Sequence, residues 1–341
     1  METFWFIALA FMLIMYVILD GFDLGAGIIH LLVGKNDGER RTILNAIGPV
    51  WDGNEVWLIA AGGVLYFAFP KLYASIFSGF YLPLMMVLWL LMLRGLGIEF
   101  RGHIEQPMWK SFWDVVFSSA SILITIFFGA VLGNVVRGVP LNAEGYFFEP
   151  LWTTFTVVPE AGILDWFTVL MGLVAFFTLT AHGANYVAMK SERDLQIRSR
   201  TASRIACWFV LLTSILALFA ASTIRPSIWG NYLKHPWGLA FPVLGLVSLV
   251  GMFYYRIVNH DTKAFMSSSA FILGMGASTA FALYPDVLLA STNPEFNLTV
   301  YNTAAGEYGL GVAVVWWSIG MVLAAAYFTY LFYSIRGKIR L

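Results

Sequence analysis

Of the chain's 341 residues, 59% are hydrophobic and only 12% are charged, and the mean hydropathy is +0.76. A soluble domain carries about a quarter charged residues, so this composition excludes one and places the chain in a membrane. The 20 basic and 20 acidic residues cancel, which argues against a nucleic-acid partner. The single cysteine, Cys207, excludes an intramolecular disulfide, a cysteine-built zinc site and an iron–sulfur cluster.

Runs of about 20 apolar residues predict nine spans, at 4–33, 51–69, 73–94, 112–136, 162–188, 203–223, 237–257, 264–284 and 310–335. The first lacks the basic flank and cleavage pattern of a removable leader, so it is expected to stay as a helix. The second is the shortest and is polar at its start, behind the helix-start signal Gly48-Pro49. If the connections alternate sides, sixteen Lys and Arg fall on one side, against Lys71, Arg137, Arg225 and Lys234 on the other. The positive-inside rule then sets the N-terminus outside and the C-terminus in the cytoplasm, which requires an odd number of spans. The two long outer connections, 137–161 and 285–309, are rich in aromatics and prolines and read either as ordered cover or as solvated loops. Asn297-Leu-Thr299 in the second matches a glycosylation acceptor only weakly.

The expected fold is therefore an all-α polytopic membrane protein, one integral domain over 1–341. Two small-residue helix ends, Asp20-Gly-Phe-Asp-Leu-Gly-Ala-Gly27 and Ala181-His-Gly-Ala-Asn-Tyr-Val-Ala188, each feed a charged loop. They suggest two four-helix units, residues 1–140 and 162–284, followed by one peripheral helix, 310–335.

Acids inside the apolar runs are the candidate chemistry. An ionised carboxylate at the centre of a membrane helix costs roughly 2.5–3.5 kcal/mol, so such residues pair, protonate or line a wet path. Asp20 and Asp23 share a helix face at i, i+3, beside the Gly21/Gly25 pair that lets another backbone approach. Asp52 and Glu55 repeat the spacing at the start of the second run, where capping of the helix N-terminus is the competing reading. Trp57 lies deeper, with core packing as its alternative. A bis-histidine haem needs two imidazoles at one depth; His103, His235 and His260 fall in or near loops, which leaves only His30 and His182 as a weak pair.

The stretches Asp20 to Gly27, Trp51-Asp-Gly-Asn-Glu-Val-Trp-Leu58, Phe77-Ser-Gly-Phe-Tyr81, Arg94 through Glu99-Phe-Arg101, and Gly133-Asn-Val-Val-Arg-Gly-Val-Pro140 resemble, in order, subunit II of the cytochrome bd-type quinol oxidases. Glu99 stands where an Asp looks usual in enterobacterial members, and Glu55 where a Gln does. The resemblance implies a heterodimer in the bacterial cytoplasmic membrane. Its subunit I would hold two haem b and one haem d and couple quinol oxidation to reduction of O2 to water. This chain would bind no haem and would be inactive alone. It would stabilise subunit I and supply cytoplasmic proton access through Asp52, Asp20, Asp23, Glu55 and Glu99, with Trp57 at the mouth of an oxygen channel. A structural quinone and a small third subunit are left open by it. The rival reading is a proton- or cation-coupled transporter using the same acids, and a purely scaffolding role would make them structural.

Overall fold

The computed structural model describes residues 1–339 as a helical bundle. Helix α1 (Glu2–Val33) is followed by a short α2 (Asp37–Ile47), α3 (Trp51–Ala68), α4 (Pro70–Gly79), α5 (Tyr81–Phe100) and α6 (Pro107–Arg137). The second half holds α7 (Trp166–Lys190), α8 (Arg193–Ile224), the single turn α9 (Gly230–Lys234), α10 (Ala240–Ile257), α11 (Asp261–Leu283) and α12 (Glu307–Ser334). Among the described residues, eight helical segments are long and apolar enough to cross a membrane. Helix α3 is not one of them, because Asp52, Asn54 and Glu55 lower the hydropathy of its 18 residues. It nevertheless runs antiparallel along α1: Asn54 contacts Asp23, Trp57 packs on Phe11, and Phe67 meets Trp5.

Two local expectations change. The continuous apolar run 73–94 is two helices, broken at Phe80 between α4 and α5. The charged stretch after α1 is not a plain loop but α2. Asn36 caps it by accepting from the Glu39 amide at 2.9 Å, and Ile43, Leu44, Ala46 and Ile47 are buried beneath it.

Helix α1 is the hub, packed against α3, α6, α7 and α11. It crosses α7, the helix that carries the second small-residue end, backbone to backbone. A Cβ added to Gly25 would overlap the Leu179 carbonyl oxygen and come within 2.7 Å of the Gly183 nitrogen. Glycine is needed there for space, not for turn geometry. Helix α12 lies at the edge, and of its residues only Leu310 is buried. Aromatic contacts hold it off α1 and α3, Trp317 on Trp5 and Phe328 on Trp57. At its far end the Lys190 ammonium donates to the Ile335 carbonyl at 2.6 Å.

The two long connections form packed cover. Strand β1 (Asp286–Leu288) pairs antiparallel with β2 (Leu298–Thr299), and Val139 bridges to Ala290. Asn297, the residue of the acceptor tripeptide, spends its side-chain oxygen on the Ala290 amide at 2.8 Å.

Gly25→Ala should destabilise the assembled protein by about 1–3 kcal/mol or prevent assembly, since only backbone could yield. Gly62→Ala, with nothing within 4 Å of the added carbon, should be neutral or slightly stabilising. Thermal unfolding in detergent of the two variants side by side checks this, and equal midpoints would contradict the close crossing.

Candidate functional site

The acids of α1 meet α3 and α5 in one buried cluster. Asp20 and Arg94 are both fully buried, and Arg94 Nη1 donates to both Asp20 oxygens at 2.7 Å. Arg94 Nη2 donates to Glu55 Oε2 at 3.1 Å. One turn along α1, Asp23 is also fully buried, and Asn54 Nδ2 donates to its Oδ2 at 2.7 Å and to the Leu19 carbonyl at 3.2 Å. The i, i+3 spacing puts both acids on the face toward α3 and α5, so three carboxyl groups gather near one guanidinium, which bonds Asp20 and Glu55 but not Asp23. Removing such charges from water costs several kcal/mol per ion, and the single cation cannot balance three anions. Tyr16 Oη, Asp23 Oδ1, Asn54 Oδ1, Trp57 Nε1 and Arg94 Nε are buried here with no hydrogen-bond partner. Donors and acceptors with unused capacity, gathered round surplus carboxyls, suit a site that takes up and passes protons.

Asp52 and Glu99 lie outside the cluster. Both are exposed and have no side-chain hydrogen bond or ion pair among the described residues. Glu55, with its side chain 21% exposed, bonds the buried Arg94 and lies one helical turn after Asp52 on the same face. Trp57 is buried, walled by Phe11 and by Phe328 of α12. Arg94 and Asn54 belong to the motif stretches, yet nothing in local spacing marks them as the partners of Asp20 and Asp23.

A second network escaped the sequence reading. At the same end of α1, His30 Nε2 lies 2.6 Å from Asp114 Oδ1, and Arg101 Nε donates to the same oxygen at 2.5 Å. Arg40 donates to Asp114 Oδ2 at 3.2 Å, and Arg101 reaches Asp37 at 2.8 Å. Asp37 lies in α2, and its contacts with Arg101 and Lys110 hold its carboxyl below the usual range despite partial desolvation. The signal was an acid in the first turns of an apolar helix, which reads locally as a helix-terminus charge.

The histidines do not form a haem pair. His182 uses both ring nitrogens, Nδ1 at 2.7 Å from Ser268 Oγ and Nε2 at 2.8 Å from the Ile18 carbonyl. That contact sets it twelve residues along α1 from His30, roughly 18 Å at 1.5 Å per residue, so the two imidazoles cannot share one iron. Among the described residues no group of three or more His, Cys, Asp or Glu could hold a metal ion.

At the other end of the bundle Arg137 closes α6. It donates to Glu149 at 2.8 Å and to Asn134 at 2.5 Å, and pairs with Asp165, the N-cap of α7. Glu149 is buried, and its second oxygen has no partner. Burial is the main cause that pushes its carboxyl up to about 8; Asp165 adds to the rise and Arg137 opposes it.

Residues 1–335 match the family model of cytochrome bd terminal oxidase subunit II. The probable cytochrome oxidase subunit 2 of Haemophilus influenzae is 31% identical over 98% of this chain and 94% of its own length. Cytochrome bd-I ubiquinol oxidase subunit 2 of Escherichia coli K12 is 30% identical with the same coverage. Cytochrome bd ubiquinol oxidase subunit 2 of Bacillus subtilis is 29% identical over 90% and 88%. In fold, the chain aligns with the bd oxidase structure from Geobacillus thermodenitrificans over 98% of both chains, at a TM-score of 0.73 and 18% identity.

Because its folded-state pKa lies above the unfolded value, Glu149 stabilises the docked 138–165 cover most below the ordinary carboxyl range. That contribution is lost as pH rises from the ordinary carboxyl value of 4.5 to about 8 and is constant above. Once corrected for the intrinsic base-catalysed rate, the hydrogen-exchange protection of this segment should therefore fall over that window in the wild type and stay flat in Glu149→Gln, which keeps a neutral side chain. An identical pH response in both would remove Glu149 as the cause.

Proposed function

Because the chain belongs to the cytochrome bd terminal oxidase subunit II family, we propose that its buried acid cluster conducts cytoplasmic protons toward oxygen reduction in the partner subunit. The chain is one subunit of a quinol oxidase complex and a multi-pass bacterial membrane protein. The family implies haem in that complex, largely in the partner. In our reading the partner is subunit I, carrying two haem b and one haem d, and the complex sits in the cytoplasmic membrane and oxidises quinol. The histidine geometry supports leaving haem to the partner, since His182 has no nitrogen to spare. A structural quinone and a small third subunit would be additions to this assembly. Nothing in the comparisons supports the coupled-transporter alternative.

The orientation we propose has the N-terminus outside, the C-terminus cytoplasmic and α3 as a ninth crossing. Its support is the excess of basic residues at one end and the antiparallel run of α3 along α1. The proposed two units of four are α1, α3 with α4, α5 and α6, then α7, α8, α10 and α11, with α12 as the extra helix.

One observation carries the proton reading: Glu55 joins Arg94 and Asp20 in the interior while sharing a helix face with the exposed Asp52. Asp52 would collect protons, Glu55 pass them inward, and Asp20 and Asp23 hold them, with Glu99 as a second surface carboxylate on the helix that carries Arg94.

Asp52→Asn should leave assembly and haem content intact and slow oxygen uptake, because an amide keeps the shape but passes no proton. A tenfold loss corresponds to about 1.4 kcal/mol in the barrier. Wild-type rates from about pH 6 to 8 would return Asp52 to helix capping.

Trp57 is the proposed border of oxygen access, and its packing makes the test specific. Trp57→Phe keeps an aromatic ring between Phe11 and Phe328 and should change the second-order rate of oxygen binding to the reduced enzyme without moving the pH profile. Trp57→Ala would also remove about 3–5 kcal/mol of packing, so haem content must be checked in parallel. Wild-type oxygen binding in both fully assembled variants would make Trp57 a packing residue.

A further inference from the structure

We propose that His182 of α7 is a positioning residue that sets the acid-bearing turn of α1, an inference resting on the proton role of Asp20 and Asp23. The imidazole is fully buried. Its Nε2 lies 2.8 Å from the Ile18 carbonyl, which can only accept, so Nε2 carries the hydrogen and donates. In the neutral ring Nδ1 can only accept, and the Ser268 hydroxyl of α11 at 2.7 Å shares its one hydrogen between Nδ1 and the Phe265 carbonyl at 2.8 Å. The ring plane is fixed by stacking on Phe265 at 4.8 Å and 11°.

The hold on this ring extends through the second half of the bundle. Asn185 Nδ2 donates to Ser268 Oγ at 3.3 Å and to the Ala264 carbonyl at 3.2 Å, and its Oδ1 accepts from Ser203 of α8 at 2.6 Å. The chain from α8 to α7 to α11 thus ends on one carbonyl of α1. The next carbonyl along α1, that of Leu19, accepts from Asn54 of α3. Successive helix carbonyls point about 100° apart, so two donors from two different neighbours fix both the rotation and the depth of this turn. Asp20 follows immediately, and its two-oxygen contact with the fixed Arg94 depends on that rotation. His182 touches neither acid and acts on them through the backbone.

The test uses the assembled oxidase, with the visible haem spectrum as the check on assembly. His182→Met fills the volume but makes neither hydrogen bond. His182→Gln can donate to the Ile18 carbonyl and accept from Ser268. His182→Met should lower oxygen-uptake turnover roughly two- to tenfold, the scale of one lost hydrogen bond. It should also displace the pH profile in the direction that Asp20→Asn does, and His182→Gln should restore both. The groups facing Asp20 and Asp23 through which the profile would move are Arg94 of α5, Glu55 and Asn54 of α3, Tyr16 of α1 and Tyr186 of α7. A displaced profile in Asp20→Asn with a wild-type rate and profile in His182→Met overturns the positioning role and leaves the proton reading standing. A wild-type profile in Asp20→Asn overturns both. Should His182→Met lose haem, Ser268→Ala removes only the hydroxyl that holds Nδ1, and a wild-type profile there overturns the inference.

Discussion

The contact between Arg94 and Asp20 is the constraint around which the first half of the bundle is arranged. Both groups are removed from water, a state in which deleting either partner typically costs about 3–5 kcal/mol because the other is left buried and unpaired. The pair can exist only if α1 and α5 hold their facing turns at one depth, and α3 must then bring Glu55 to the remaining guanidinium nitrogen. Helix α3 is polar where it does this, which is why it falls short of the hydropathy of the other spans. Helix α12 covers only the Gly53 side of these polar first turns, through Tyr327 and Phe328, and leaves Asp52 exposed.

The other half of the bundle supplies the counter-surface. Gly25 and Gly183 bring α1 and α7 into backbone contact, close enough for His182 to reach a carbonyl of α1. Close approach has a second consequence. With no side chain between the helices at the crossing, a rotation of either helix is transmitted to the other, so the setting of Asp20 is coupled to α7 and, through Ser268, to α11.

Much of this was legible along the chain. The i, i+3 spacing of Asp20 and Asp23 placed them on one inward face, and the Gly21/Gly25 pair announced a close helix approach that Gly183 completes. The small-residue ends of α1 and α7 announced two helices of similar kind, and those two cross. What stayed hidden was pairing across long stretches of sequence: Arg94 lies 74 residues from Asp20, and no periodicity links them. Asp114 carries no signal of its own, because an acid near a helix start has a sufficient local reason to be there. The short α2 has too few apolar positions to register as a run, and the break at Phe80 is masked because α4 and α5 are apolar on both sides of it.

The two halves differ in chemistry more than in architecture. Around Asp20 and Asp23 the first half gathers carboxyls and a guanidinium, whereas at the crossing the second half presents an imidazole, an amide and two hydroxyls, His182, Asn185, Ser203 and Ser268. Neutral groups whose hydrogen bonds are nearly all satisfied can be buried at little net cost and hold one geometry. A cluster with excess carboxyls and unpartnered atoms is costly and responsive to protons. Rigidity on one side of α1 and titratable charge on the other is the division that the proposed proton role asks of α1, whose acids would have to stay in register while their protonation changes.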